Sequence, residues 1–232
     1  MEKLDRRSFL GAGAGLAAAS AFTIVPRHVL GGAGFTAPSD KLNIAGIGVG
    51  GMGAHNLKAM SGENIVALCD VDHIYAAKTF AEYPQARRYK DYRELLDKEK
   101  DVDAVLIATP DHTHAVITLA ALRAGKHVYC QKPLTHTVFE ARKVAEEAAK
   151  SGLRTQMGIQ GHSSDDMRKL CEWVWSGAIG PVRKVAAWSS ICYYPWGHAY
   201  WSSQLGVRPA ETPPLPEGMD WDLWIGPAPM RP

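Results

Sequence analysis

The chain has 232 residues, 46% of them hydrophobic and 22% charged, with a formal net charge of +2, the profile of an ordinary soluble globular protein of one large or two modest domains. Lys3, Arg6, Arg7 and Arg27 against Glu2 and Asp5 already supply that +2 within the first 30 residues. The remainder is near neutral, and no basic surface for nucleic acid is implied.

Residues 1–30 read as an export signal. Paired Arg6 and Arg7 precede an uncharged run, Ser8 to Val25, rich in Ala and Gly, with small-residue cleavage options such as Ala19-Ser20-Ala21. A stable membrane anchor needs about 20 strongly apolar residues, which this run lacks. Asp5-Arg6-Arg7-Ser8-Phe9-Leu10 resembles a twin-arginine signal, so an exported, periplasmic protein is expected. Residues 31–40 form a flexible leader.

Leu42 to Gly53, LNIAGIGVGGMG, passes from an apolar strand straight into closely spaced glycines. Gly48, Gly50 and Gly53, with Gly51 and Met52 between them, fit G-x-G-x-x-G: a turn, an approach to pyrophosphate, and close helix packing, with phosphate at the helix N-terminus. A helix from Ala54 to Met60 leads to the strand Asn64 to Asp70. Asp70 lies 20 residues beyond Gly50, the distance at which such folds place a carboxylate on the adenosine ribose. That carboxylate would repel a 2′-phosphate, favouring NAD over NADP. The other reading makes Asp70 or Asp72 a helix cap.

Helix Tyr75–Tyr83, a short strand at Arg88–Lys90 and helix Tyr92–Lys98 follow. Asp103 to Thr109 is an apolar strand of the kind buried on both faces of a parallel sheet, closed by Pro110. Then come helix Thr113–Ala124, strand Lys126–Cys130, the amphipathic helix Thr137–Lys150 and strand Leu153–Met157. This alternation predicts an α/β fold with a doubly wound parallel Rossmann sheet over residues 41–158.

Beyond Gly158 the composition changes: all seven Trp lie between Trp173 and Trp224, and eight of fourteen Pro lie from Pro195 onward. A helix capped by Ser163 or Ser164 runs to Trp175, and Pro181 to Ile191 reads as a strand. Residues 159–232 are therefore read as the beginning of a second α/β domain, too short to complete its own core. The six aromatics between Trp188 and Trp201 could stack on a sugar ring, but packing against further protein is preferred. Cys69, Cys130, Cys171 and Cys192 show no C-x-x-C spacing and sit in apolar contexts, which favours buried free thiols and gives no metal site.

Two strand-end segments carry chemistry: Thr109-Pro110-Asp111-His112-Thr113-His114, and Gln131-Lys132-Pro133. Ligands of open α/β sheets bind at strand carboxyl ends beside the switch point, so both segments should border one cleft. Lys132 is the candidate for proton exchange with a substrate hydroxyl, against a default reading as a solvated lysine. Asp111 and His114 are read first as caps of the following helix.

Together these motifs and the closing Trp221-Asp-Leu-Trp-Ile-Gly-Pro-Ala-Pro resemble the Gfo/Idh/MocA oxidoreductases, over roughly Lys41 to Pro232. The resemblance implies hydride transfer between a sugar, cyclitol or related polyol and a nicotinamide cofactor, in a homo-oligomer. It implies Lys132 as catalytic, and Gly48, Gly50, Gly51, Met52, Gly53, Asp70, Thr109, Pro110, Asp111, His114, Gln131 and Lys132 around the cofactor. Gln131 stands where the family usually has glutamate. The family's further catalytic Asp and His would lie beyond Pro232; His162 and His198 do not sit in that motif. The alternatives are an NAD-dependent glycoside hydrolase, from which the retained lysine-proline pair argues away, and a non-catalytic dinucleotide-binding protein.

Overall fold

The structure, a computed structural model, describes residue 32, residues 36–188 and residues 211–231. The expected export signal, most of the aromatic stretch 188–201, and Cys192 lie outside the described residues. The chain divides at Leu42/Asn43 into two compact units; the described part of the first holds a single-turn 3-10 helix, Pro38–Asp40.

The second unit is built on strands β1 (Asn43–Ile47), β2 (Asn64–Cys69), β3 (Arg87–Tyr89), β4 (Ala104–Ile107), β5 (His127–Gln131) and β6 (Thr155–Gly158). All pair in parallel in the order β3-β2-β1-β4-β5-β6, the doubly wound arrangement the sequence predicted, with its switch point between β1 and β4. Helices α1 (Gly51–Ala59), α2 (Ala77–Glu82), α3 (Tyr92–Lys98), α4 (His114–Arg123) and α5 (Val138–Ser151) follow the first five strands in turn.

Alternation along the central strands feeds two cores. Val105, Ile107, Val128 and Cys130 pack with Leu95 of α3 and Ile117 of α4 on one face; Leu68 and Leu106 pack with Leu57 of α1 and Phe80 of α2 on the other. Helix α5 is delimited by its own sequence. Thr137 and Glu140 form a reciprocal capping box, and Gly152, at φ 66°, closes the last turn in the left-handed conformation. Beneath the sheet edge, the buried Glu99 carboxylate receives the Arg87 guanidinium and the Tyr89 hydroxyl, and the Arg87 bonds hold its carboxyl below the usual range.

Helix α6 (Asp165–Trp175) is capped by the Ser164 hydroxyl, which accepts from Met167 N–H at 3.2 Å. None of its residues is buried, and Trp173 and Trp175 are 54% and 82% exposed. The strand expected over Pro181–Ile191 is not formed in its described part: residues 181–188 carry no strand and are exposed. A strand requires a ladder partner, and none of the described residues supplies one to this stretch. The chain returns to the sheet at helix α7 (Trp221–Ile225). No helix of the described residues is long and apolar enough to cross a membrane.

Candidate dinucleotide-binding site

The glycine loop between β1 and α1 is shaped by contacts that no side chain could share. Gly48 has φ +76°, and a Cβ there would come within 2.6 Å of the Thr109 backbone nitrogen. A Cβ on Gly53 would lie 1.9 Å from the Gly48 carbonyl oxygen, so α1 starts hard against the strand end, as the motif requires. Space above Gly50 is taken by the Tyr75 ring, 2.1 Å from where a Cβ would sit.

The loop's backbone donors already face oxygen. Asp70 Oδ2 accepts from Val49 N–H at 2.8 Å and Gly50 N–H at 3.2 Å, and its Oδ1 accepts from Asp72 N–H at 3.0 Å. Burial pushes the Asp70 carboxyl above the usual aspartate range, and these backbone bonds offset only part of the shift. Gly51 N–H donates to the Tyr75 hydroxyl at 3.2 Å. Asp70 thus fastens the loop to the end of β2 and does not cap a helix. Asp72 does serve locally, accepting from Ile74 and Tyr75 N–H.

A cavity of about 590 Å³ opens beside Gly48, Gly50 and Asp70 and runs past Thr109 and Pro110, within the range of cofactor sites. Lys90 and Arg93, two cations outside the glycine and strand-end motifs, also line it. Arg93 is paired with Asp91 through Nε and Nη2, at 2.9 and 2.8 Å from the two carboxylate oxygens. Lys90 directly follows β3 and Arg93 lies in the first turn of α3, so both lie where the sequence pattern showed only a strand and a helix.

His114 is 1% exposed, and its ring nitrogens lie 2.6 Å from the Pro133 carbonyl and 2.8 Å from the Thr109 carbonyl. It is a brace between the two strand-end segments and does not reach the cavity. Neither Asp111 nor His114 caps α4: its N-cap is Thr113, with no side-chain cap bond, because Asp111–Thr113 forms a 3-10 turn first. Thr113 Oγ1 instead donates to Thr109 Oγ1 at 2.7 Å.

At the end of β5 the arrangement is open. Lys132 is exposed and Gln131 is 5% exposed. The Gln131 amide lies against Gly158, where a Cβ would meet it at 2.7 Å, and its Nε2 has no protein partner. Asn56 Nδ2 of α1 is likewise buried without a partner, while its Oδ1 accepts from Gln160 at 3.4 Å. Among the described residues no three His, Cys, Asp or Glu side chains are placed to hold a metal ion. Cys69 and Cys130 are buried free thiols, and Cys171 is free and half-buried. Burial raises the Cys69 thiol well above its ordinary value and pushes Cys130 up to about 11.

A family model described as an oxidoreductase family with an NAD-binding Rossmann fold, Gfo/Idh/MocA, matches residues 42–159. The chain belongs to this family. Among its relatives, inositol 2-dehydrogenase of Salmonella paratyphi B is 34% identical over 140 residues, covering 58% of this chain and 41% of that protein. The crystal structure of myo-inositol 2-dehydrogenase from Lactobacillus plantarum superposes with a TM-score of 0.57 at 28% identity, covering 60% of this chain and 42% of that one. Scyllo-inositol dehydrogenase of Lactobacillus casei, solved with NAD(H) and scyllo-inositol, shares the fold with a TM-score of 0.57 at 23% identity, over 60% of this chain and 42% of that one. This Gfo/Idh/MocA chain spans less than half the length of the curated relatives it matches. Its glycine loop, its buried β2 carboxylate and the cavity beside them fit the family's NAD.

Proposed function

We propose that the protein is an NAD-dependent oxidoreductase exchanging a hydride between a carbinol carbon of a cyclitol, sugar or related polyol and the nicotinamide. The observation that carries this reading is the convergence of Gly48, Gly50 and Asp70 on one cavity at the switch point, with Lys132 exposed at a neighbouring strand end. The nicotinamide supplies the redox chemistry when bound. The chain's own part is to hold pyrophosphate at the α1 N-terminus, to fix the ribose hydroxyls through Asp70, and to exchange the substrate hydroxyl proton at Lys132 Nζ. Relatives named for inositol oxidation make cyclitols the first substrates to try.

The arginine pair and the uncharged Ala/Gly-rich run of residues 1–30 support export by the twin-arginine route to the periplasm. That route suits a protein that folds around a cytoplasmic cofactor before it leaves. The exposed apolar side chains of α6 support a homo-oligomer or further protein covering that face.

Calorimetric titration with NAD(H), followed by NADH formation on a panel of inositols and sugars, tests the catalytic reading. Micromolar binding with turnover of a polyol is expected. Absence of any NAD(H) binding sinks it, and binding without turnover on any polyol favours the non-catalytic alternative.

A further inference from the structure

The cavity has a wall contributed by a segment that comes long after the Rossmann strands. Gly218 to Pro227 crosses the carboxyl-terminal edge of the sheet from β2 to the turn after β4. On the β2 side, Asp220 N–H donates to the Val71 carbonyl at 2.8 Å, Met219 bridges antiparallel to Asp72, and Lys90 Nζ donates to the Gly218 carbonyl at 3.3 Å. On the β4 side, His112 Nε2 lies 2.8 Å from the Trp224 carbonyl, with the two rings 5.1 Å apart. Gly226 sits so close to Thr113 that a Cβ would come within 3.2 Å of its methyl.

This strap has its own internal order. Asp220 caps α7 by accepting from Leu223 N–H at 3.0 Å, Trp221 and Trp224 stack at 4.9 Å and 8°, and Ile225 is 5% exposed. The strap contributes Met219, Asp222, Leu223 and Trp224 to the cavity lining, and the sheet side contributes Val71, Val116 and Ile117. A planar base fits a cavity with such apolar and aromatic lining, through stacking and apolar contact.

Position then assigns the occupant. A dinucleotide with pyrophosphate at Gly50 and Gly51 and ribose on Asp70 has its base one glycosidic bond beyond that ribose. In this cavity that is the space the strap encloses. We propose that Gly218–Pro227 is the adenine wall of the dinucleotide site, with Leu223 and Met219 against the base. The family match ends at residue 159, so a segment outside the Rossmann sequence completes the adenosine half and ties cofactor capture to the part of the chain that follows. This rests on the NAD reading above, and the ligand class it selects is a purine nucleoside diphosphate.

The test is calorimetric titration of the purified full chain with ADP-ribose, which carries the adenosine half and no nicotinamide. Leu223→Ala and Met219→Ala, each checked for an unchanged thermal melt, are expected to weaken ADP-ribose about 10-fold, the equivalent of about 1.4 kcal/mol. Leu223→Trp, which fills the slot and leaves the strap anchors in place, is expected to abolish ADP-ribose binding. Folded variants that bind ADP-ribose within twofold of the unsubstituted chain overturn the strap assignment and leave the NAD reading intact. An unsubstituted chain that binds neither ADP-ribose nor NAD(H) overturns both.

Discussion

The two ends of the cleft are built differently. At the β2 end the groups that face the cavity are held by the chain itself: Asp70 on the loop, Arg93 on Asp91, Lys90 on Gly218. At the β5 end Lys132 is exposed, and the buried Gln131 amide retains an unpartnered nitrogen, as does that of Asn56 on α1. Buried donors without partners cost about 1–3 kcal/mol each, a cost that a native protein offsets with water, ligand or further protein. The first end is enclosed by this chain's own groups, and the second is open.

Lys132→Ala should expose that difference most strongly. If Lys132 Nζ exchanges the substrate proton, kcat on a polyol falls about 100- to 1,000-fold, while calorimetric affinity for ADP-ribose is unchanged. A matching loss of ADP-ribose affinity would mean that the two ends act as one site. Asp70→Asn should do the converse. Losing a charged acceptor for the ribose is expected to weaken NAD about 10- to 100-fold and to narrow its advantage over NADP. The pH dependence has a definite sign. Burial raises the Asp70 carboxyl, so on acidification it protonates, and NAD affinity declines, above the ordinary aspartate range. The Asn variant should be flat through that window.

The β2 end was legible in the sequence because its chemistry is local. Gly48, Gly50, Gly53 and Asp70 act through backbone shape and a fixed spacing along one strand-turn-helix-strand unit. The α5 helix was legible for the same reason: Thr137, Glu140 and Gly152 write its ends into the chain. What was missed depends on distance in sequence. Tyr75 covers Gly50, and Trp224 is joined to His112 across 112 positions; no periodicity encodes such meetings. His114 was misread as a cap because a helix-start histidine looks alike whether it caps or braces two carbonyls, and only the Pro133 contact decides. Over its described part, residues 181–188, the strand read from the sequence is not formed, because a strand needs another strand to pair with.

Two smaller substitutions sharpen the comparison. Tyr75→Phe removes the hydroxyl that accepts from Gly51 N–H, the donor that pyrophosphate would otherwise claim. A neutral hydrogen bond contributes about 0.5–1.5 kcal/mol, so NAD should bind a few-fold more tightly, as read by nicotinamide fluorescence; weaker binding would instead make the phenol a ligand to phosphate. Gln131→Glu has the smallest expected effect. From sequence alone, restoring the family's glutamate beside Lys132 ought to favour the protonated lysine. In the structure the Gln131 amide turns inward onto Gly158 while Lys132 is exposed, so solvent screens the new charge from the ammonium. The alkaline shift of the kcat profile should therefore stay under about one pH unit. A larger shift would place the two side chains in one desolvated pocket and give the β5 end the enclosure now seen only at β2.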